Sequence, residues 1–348
     1  MDRRTSHLID DAIGLLSRLM NGISPPHPNT LAELSVYEGR AVDEIFPAPR
    51  IPEEVTFQKR WAALGLVCED LCFESGHQPL CPTFKQRHAD EYPSNHFVYA
   101  RWLRHVGGPR RPTFLYVHGW MQFEPIIEEF TLLPMIAKRL DMNVIHIQLP
   151  YHGRRKPPGA AWHGEYFWTA DMVRTVEALR QSVLDARALR AWLASQGQNP
   201  VGVGGLSLGG VITEVLACVD ADFDFAVPII AHMDLARAME EAPILYRMRE
   251  ELKGYGWDHK QLDDFLRAAG WHDLRPVIPR ERIFMIAAEH DKFLTPERVR
   301  ALWKSWGEPP IYWFPGGHTG FLPYMWEYLG AAKRFFESLG DRPRADGE

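Results

Sequence analysis

Apolar side chains recur at three- and four-residue steps near the start of the chain: Leu8, Ile9, Ala12, Ile13, Leu16, Leu19 and Met20. That spacing predicts an amphipathic helix over residues 5–20, stopped by Asn21-Gly22 and by Pro25, Pro26 and Pro28. Prolines from Pro47 to Pro52 predict another loop, so residues 1–60 are expected to form an N-terminal helical extension docked on the rest. The pattern then shifts to short apolar or alternating runs bounded by turn residues, the signature of strands. Eight are predicted, at 65–73, 96–103, 113–118, 143–149, 200–206, 225–231, 282–288 and 310–314. Helical stretches at 125–140, 168–196, 208–219, 296–306 and 322–339 separate the later ones. Strands apolar almost throughout, alternating with helices, predict a mostly parallel sheet covered on both faces. No helix separates the first two strands, which predicts an antiparallel start. The 50 residues between His232 and Arg282 exceed what one crossover helix needs. Helical patterns at 234–241, 244–254 and 258–269 make about 233–276 either a small helical cap or an ordinary pair of packing helices. Residues 61–340 are thus read as the α/β domain and 341–348 as a flexible tail.

Composition narrows the classes. The chain has 348 residues, of which 46% are hydrophobic and 24% charged, so wholesale disorder is excluded. With 39 Lys and Arg against 45 Asp and Glu, the net charge of −6 is a poor match to general nucleic-acid binding. Four cysteines build no disulfide scaffold and point to reduced thiols in a cytoplasmic protein. Asp10 and Asp11 interrupt the first helix, arguing against a signal peptide, and no apolar run approaches the roughly 20 residues of a transmembrane segment. Cys68, Cys72, His77 and Cys81 lack paired C-x-x-C spacing and are read as ordinary side chains, with no metal site.

The sharpest local feature is Gly205-Leu206-Ser207-Leu208-Gly209, a G-x-S-x-G between a predicted strand and a predicted helix. A serine on a tight strand-to-helix turn needs small neighbours, and that turn lifts its hydroxyl above the sheet. A dinucleotide fingerprint would need glycine at 207, and a P-loop would need a lysine at the helix start; neither is present. Serine needs a histidine base, and the base an orienting carboxylate. Asp291 follows the strand at 282–288 and His318, in a Gly-Gly-His-Thr-Gly loop, follows the strand at 310–314. Glu289 competes with Asp291 for the acid, and His290 is read as a neighbour. The developing oxyanion needs backbone donors. Leu208 supplies one N–H, and His118-Gly119-Trp120-Met121 offers the other from Trp120, or alternatively Met121. His118 itself is expected to hold that loop.

Substrate clues are weaker. Arg154, Arg155 and Lys156 form a basic cluster that either recognises a substrate anion or is a solvated loop. Trp162, His163, Tyr166, Phe167 and Trp168 are either an aromatic pocket wall or core packing. Met121, Arg154, Trp162 and Tyr166 are the candidate substrate-binding side chains.

Together, His118-Gly119-Trp120, Gly205–Gly209, Asp291 and His318, in this order, resemble the α/β-hydrolase superfamily over roughly residues 60–340. The run from Leu149 through Arg154 to Pro157 resembles the short loop after the fourth strand in an abhydrolase subfamily. The resemblance implies an eight-stranded, mostly parallel sheet, a Ser-His-Asp triad and no cofactor. A serine nucleophile disfavours the members that use Asp or Cys. The activity implied is hydrolysis of a small-molecule carboxylic ester through an acyl-enzyme, as a carboxylesterase or a lipid-ester hydrolase. A small peptidase, an acyltransferase or a catalytically silent binding protein on the same fold are the alternatives, and oligomeric state is not read.

Overall fold

A computed structural model describes residues 1–22, 24–107, 110–122, 126–271 and 274–340, so the tail expected at 341–348 lies outside the described residues. Helix α1 (Arg3–Asn21) starts where the Asp2 side chain accepts the Thr5 N–H, and a short α2 (Val42–Ile45) follows. Strands β1 (Thr56–Ala63) and β2 (Leu66–Glu74) form a hairpin; α3 (Pro82–Glu91) leads to β3 (Phe97–His105). The alternating part comprises β4 (Thr113–Val117), α4 (Ile126–Phe130), α5 (Leu132–Leu140), β5 (Asn143–Ile147), α6 (Met172–Ser195), β6 (Val201–Leu206), α7 (Leu208–Val219) and β7 (Ala226–Ile229). Helices α8 (Leu235–Glu241), α9 (Tyr246–Gly254) and α10 (His259–Ala268) intervene before β8 (Met285–Ala288), α11 (Pro296–Ser305), β9 (Ile311–Phe314) and α12 (Met325–Gly340).

All nine strands form one sheet in the order β1-β2-β3-β5-β4-β6-β7-β8-β9. The first three pair antiparallel, β3 runs antiparallel to β5, and every pairing from β5 to β9 is parallel. The sheet therefore has nine strands rather than the eight expected. The added one is β1, and the boundary expected at 60/61 runs through it. Its sequence, TFQKRWAA, has Lys59 between Phe57 and Trp61, which breaks the apolar alternation, and the strand is exposed along nearly its whole length. Edge strands are often built this way.

Two apolar layers cover the sheet. One gathers α6, α7 and the α8–α10 segment, and the other gathers α5 and α12. Helix α6 is buried almost from end to end, because residues 31–46 lie across it: Leu34, Tyr37 and Ile45 are all buried. Its charged side chains are consequently paired inside, as in Arg155–Asp185 (2.8 Å) and Arg187–Asp220 (3.2 Å).

Helix α1 docks with its polar side. Ser6, Asp10, Gly14 and Ser17, which share one face, are buried. Leu8, Leu15, Leu16 and Leu19, which an amphipathic helix would ordinarily bury, are 69%, 58%, 51% and 65% exposed. Gly14 explains part of this orientation: a Cβ there would stand 2.8 Å from the Pro243 Cβ, so the helix approaches closely only along that face. No helix among the described residues is long and apolar enough to cross a membrane.

Candidate active site

Register places the candidate chemistry at one point. Val117 pairs with Gly205, so the loop after β4 and the turn after β6 leave the sheet side by side. Ala288 pairs with Phe314, so the loops carrying Asp291 and His318 also leave together. The order β5-β4-β6 reverses direction at β4, and ligands of open α/β sheets sit beyond the carboxyl ends of strands at such a switch point.

Ser207 occupies a backbone conformation costly for a side-chain-bearing residue, with φ 56° and ψ −114°. Its N–H bonds the Ile229 carbonyl at 2.9 Å, tying the turn to the adjacent strand. The flanking glycines are required by contact. A Cβ on Gly209 would lie 2.0 Å from the Val117 oxygen, and one on Gly205 would lie 2.5 Å from the same atom. The motif thus lets α7 start directly against β4 and lifts the Ser207 hydroxyl clear of the sheet.

His318 Nε2 stands 2.8 Å from Ser207 Oγ, and its Nδ1 stands 2.7 Å from Asp291 Oδ2. A carboxylate only accepts, so Nδ1 carries the proton and Nε2 turns its lone pair to the hydroxyl. The second oxygen of Asp291 accepts the N–H groups of Phe293 (2.7 Å) and Leu294 (2.9 Å), which fixes the carboxylate. Burial opposes a charge on His318, but the charge and hydrogen bond of Asp291, with Asp10 adding to them, raise its pKa above the ordinary 6.5. Glu289 is exposed, and its backbone N–H is spent on the Phe314 carbonyl. The N–H of His290 bonds the Gly316 carbonyl.

After β4, the Leu149 N–H donates to His118 Nε2 at 3.0 Å, so His118 Nδ1 bears the proton and faces the Gly119 oxygen at 2.7 Å. Burial holds this imidazole neutral, with its pKa pushed down to about 4. His118 therefore holds the Gly119-Trp120 loop. The indole N–H of Trp120 anchors the same loop on the Gly164 carbonyl at 2.8 Å. As the first residue of α7, Leu208 has a backbone N–H without an intrahelical partner.

A cavity of about 390 Å³ opens above Ser207, walled mainly by apolar side chains that include Met121, Trp168, Leu245, Phe293 and Phe321. Trp120, Leu208 and His318 also line it, and among its described lining residues there is no Lys, Arg, Asp or Glu. Of the four candidate substrate-binding residues, Met121 lines this cavity. Trp162 is buried behind Trp120, with ring centroids 5.4 Å apart. Tyr166 packs under the Arg174 guanidinium at 4.5 Å. Arg154 is directed away, to Asp70 on β2 at 2.7 Å, and Arg155 is buried against Asp185. Two α1 residues not singled out by the sequence reading reach the site: Ile13 at the cavity wall and Asp10 behind His318. The stripe Leu235, Ala238 and Ala242 on and after α8 forms another wall. A larger groove of about 700 Å³, between Trp61, Leu64, Phe130 and Trp326, has no Ser, Cys, His, Asp or Glu among its described lining residues.

Cys68 lies against Glu129 and Cys81 against Glu33. Among the described residues, no three His, Cys, Asp or Glu side chains converge on a point suited to a metal ion.

A family model described as "Alpha/beta hydrolase domain containing 18" matches residues 128–241, which include the Ser207 turn. An uncharacterized protein of Mycobacterium tuberculosis (strain H37Rv) is 31% identical over 256 residues, covering 72% of this chain and 59% of its own length. The chain thus matches under two thirds of that relative. Among solved structures, an acetyl xylan esterase from Paenibacillus sp. R4 is similar with a TM-score of 0.58 at 14% identity, over 88% of this chain and 99% of that one. Acetyl Xylan Esterase 1 from Thermoanaerobacterium sp. JW/SL YS485 is similar with a TM-score of 0.55 at 14% identity, over 92% and 98%. At such identities the likeness speaks for the fold alone. The sheet order and the loop positions give this chain the α/β-hydrolase fold, and the family model covers its residues 128–241.

Proposed function

We propose that this chain is a serine hydrolase that cleaves an uncharged carboxylic ester through an acyl-enzyme. The observation that carries this reading is the continuous relay from the strained Ser207 through His318 to Asp291, opening on a cavity. In this account His318 Nε2 takes the Ser207 proton as Oγ bonds to the ester carbonyl carbon. The backbone N–H groups of Leu208 and Trp120 receive the negative charge that develops on the carbonyl oxygen. Trp120 is favoured over Met121 because its anchored indole fixes the peptide that would donate. The imidazolium returns the proton to the departing alkoxide, and water with His318 as base then releases the acid. Asp291 holds the tautomer throughout.

The cavity supports the choice of substrate class. Its volume sits at the low end for small-ligand sites, which suits a short or medium apolar acyl group. The absence of charged side chains from its described walls speaks against an anionic substrate. We assign the segment at 233–276 the role of a cap, since α8 and Leu245 form part of the cavity wall. The acetyl xylan esterases of the same fold act on acetyl esters by their names, which agrees with a small acyl pocket.

The test is turnover of p-nitrophenyl esters of graded acyl length. Wild type is expected to prefer short to medium chains, and Ser207→Ala is expected to lose roughly 10⁴- to 10⁶-fold in kcat. Equal turnover by the two proteins contradicts the assignment.

A further inference from the structure

We propose that Asp10, on α1, is a positioning residue of the active site, whose one carboxylate fixes the loop of the base against the loop of the acid. The proposal rests on the reading of Ser207, His318 and Asp291 given above.

Asp10 is fully buried. Its Oδ2 accepts the backbone N–H of Lys292 (3.2 Å), the residue after the acid, and the backbone N–H of His318 itself (3.1 Å). Its Oδ1 accepts the Thr319 N–H (3.1 Å) and the Thr319 hydroxyl (2.8 Å). Lys292 and His318, 26 residues apart in sequence and on separate loops, therefore meet on one oxygen atom. Burying a carboxylate is expensive unless donors surround it, and four do so here. Another α1 contact falls on the same loops, with Asp11 on the Lys292 ammonium. The helix carries an apolar face that could have docked by burial, and that face points outward. Its docking is specified by the loops.

The charge matters as well as the geometry. Asp291 and Asp10 both favour the protonated form of His318, against burial. The other groups near His318 are Ser207, the Phe293 ring and His232 in the loop after β7, which burial keeps neutral with its pKa pushed down to about 3. Lys292 turns its ammonium to Asp11.

Asp10→Asn keeps the shape but removes the charge and sets an NH₂ group against N–H donors. Gly317→Ala keeps the carboxylate but crowds it, since a Cβ there would lie 2.8 Å from Asp10 Oδ2. Both are compared with wild type, as full chains, in three measurements: NMR titration of the His318 ring, the pH profile of p-nitrophenyl acetate hydrolysis, and the rate of fluorophosphonate labelling. Asp10→Asn should lower the His318 pKa, moving the acid limb of kcat/KM to lower pH. Above that limb it should lose about tenfold to a hundredfold, in kcat rather than KM. Gly317→Ala should show the loss in kcat, and carries the comparison if Asp10→Asn does not fold. A folded Asp10→Asn with the wild-type titration and kcat overturns the proposal, as does a folded Gly317→Ala with unchanged kcat. If wild type labels and the variants match it, the clamp fails and the serine hydrolase stands. If wild type neither labels nor hydrolyses while the His318 pKa still falls in Asp10→Asn, the clamp stands and the hydrolase reading fails.

Discussion

Two buried histidine–carboxylate pairs among the described residues have nearly equal geometry. His318 meets Asp291 at 2.7 Å, and His77 meets Glu177 at 2.8 Å. The second is a closed knot. Glu177 also accepts the Tyr37 hydroxyl (2.6 Å), the Leu80 N–H (2.7 Å) and the Arg180 guanidinium, while His77 Nδ1 has no hydrogen-bond partner among the described residues. It staples residues 37 and 80 onto α6. In the first pair the remaining imidazole nitrogen faces a hydroxyl on a strained turn beside a cavity. A buried histidine on a carboxylate is therefore no sign of chemistry by itself. The third partner and the opening distinguish the two.

That distinction is breakable by substitution. Asp291→Asn should leave the chain folded and cost about 10⁴-fold in kcat, because the amide favours the wrong imidazole tautomer. Glu177→Gln should do the reverse. Removing one partner of a buried charged cluster costs roughly 3–5 kcal/mol, read as a lower denaturant midpoint, while the folded fraction keeps its kcat. The comparison sharpens with pH. Burial pushes Glu177 up, yet the hydrogen bonds of His77 and Tyr37 and the charge of Arg180 hold its pKa at about 2, below the ordinary 4.5. A depressed carboxylate pKa gives stability that is full above pH 4.5 and is lost as pH falls toward about 2. The stability gap between wild type and Glu177→Gln should shrink over that window. The smallest effect is expected on the outer face of α1: Leu15→Ser and Leu19→Ser should change stability by less than about 0.5 kcal/mol and leave turnover intact.

The candidate site was legible in the sequence as far as its signals are local. Ser207 sits in a run of glycines that contact requires, and Asp291 and His318 each follow an apolar strand within a few residues. Parallel register then brings those strand ends together. Asp10 gave no such signal, since one aspartate on the polar side of an amphipathic helix looks solvated until the docking face is known. Arg154 was open to a substrate-anion reading because its partner, Asp70, comes from a strand 84 residues earlier. The eight strands with apolar runs were readable, whereas β1 is exposed and Lys59 interrupts its alternation, so it offers no continuous apolar pattern.

The most direct measurement is covalent labelling of the pure chain with a fluorophosphonate, followed by mass-spectrometric location of the adduct. A single adduct on Ser207 is expected in wild type, formed faster as pH rises and His318 loses its proton, and none in Ser207→Ala. No adduct on folded wild type, or equal labelling of Ser207→Ala, contradicts it.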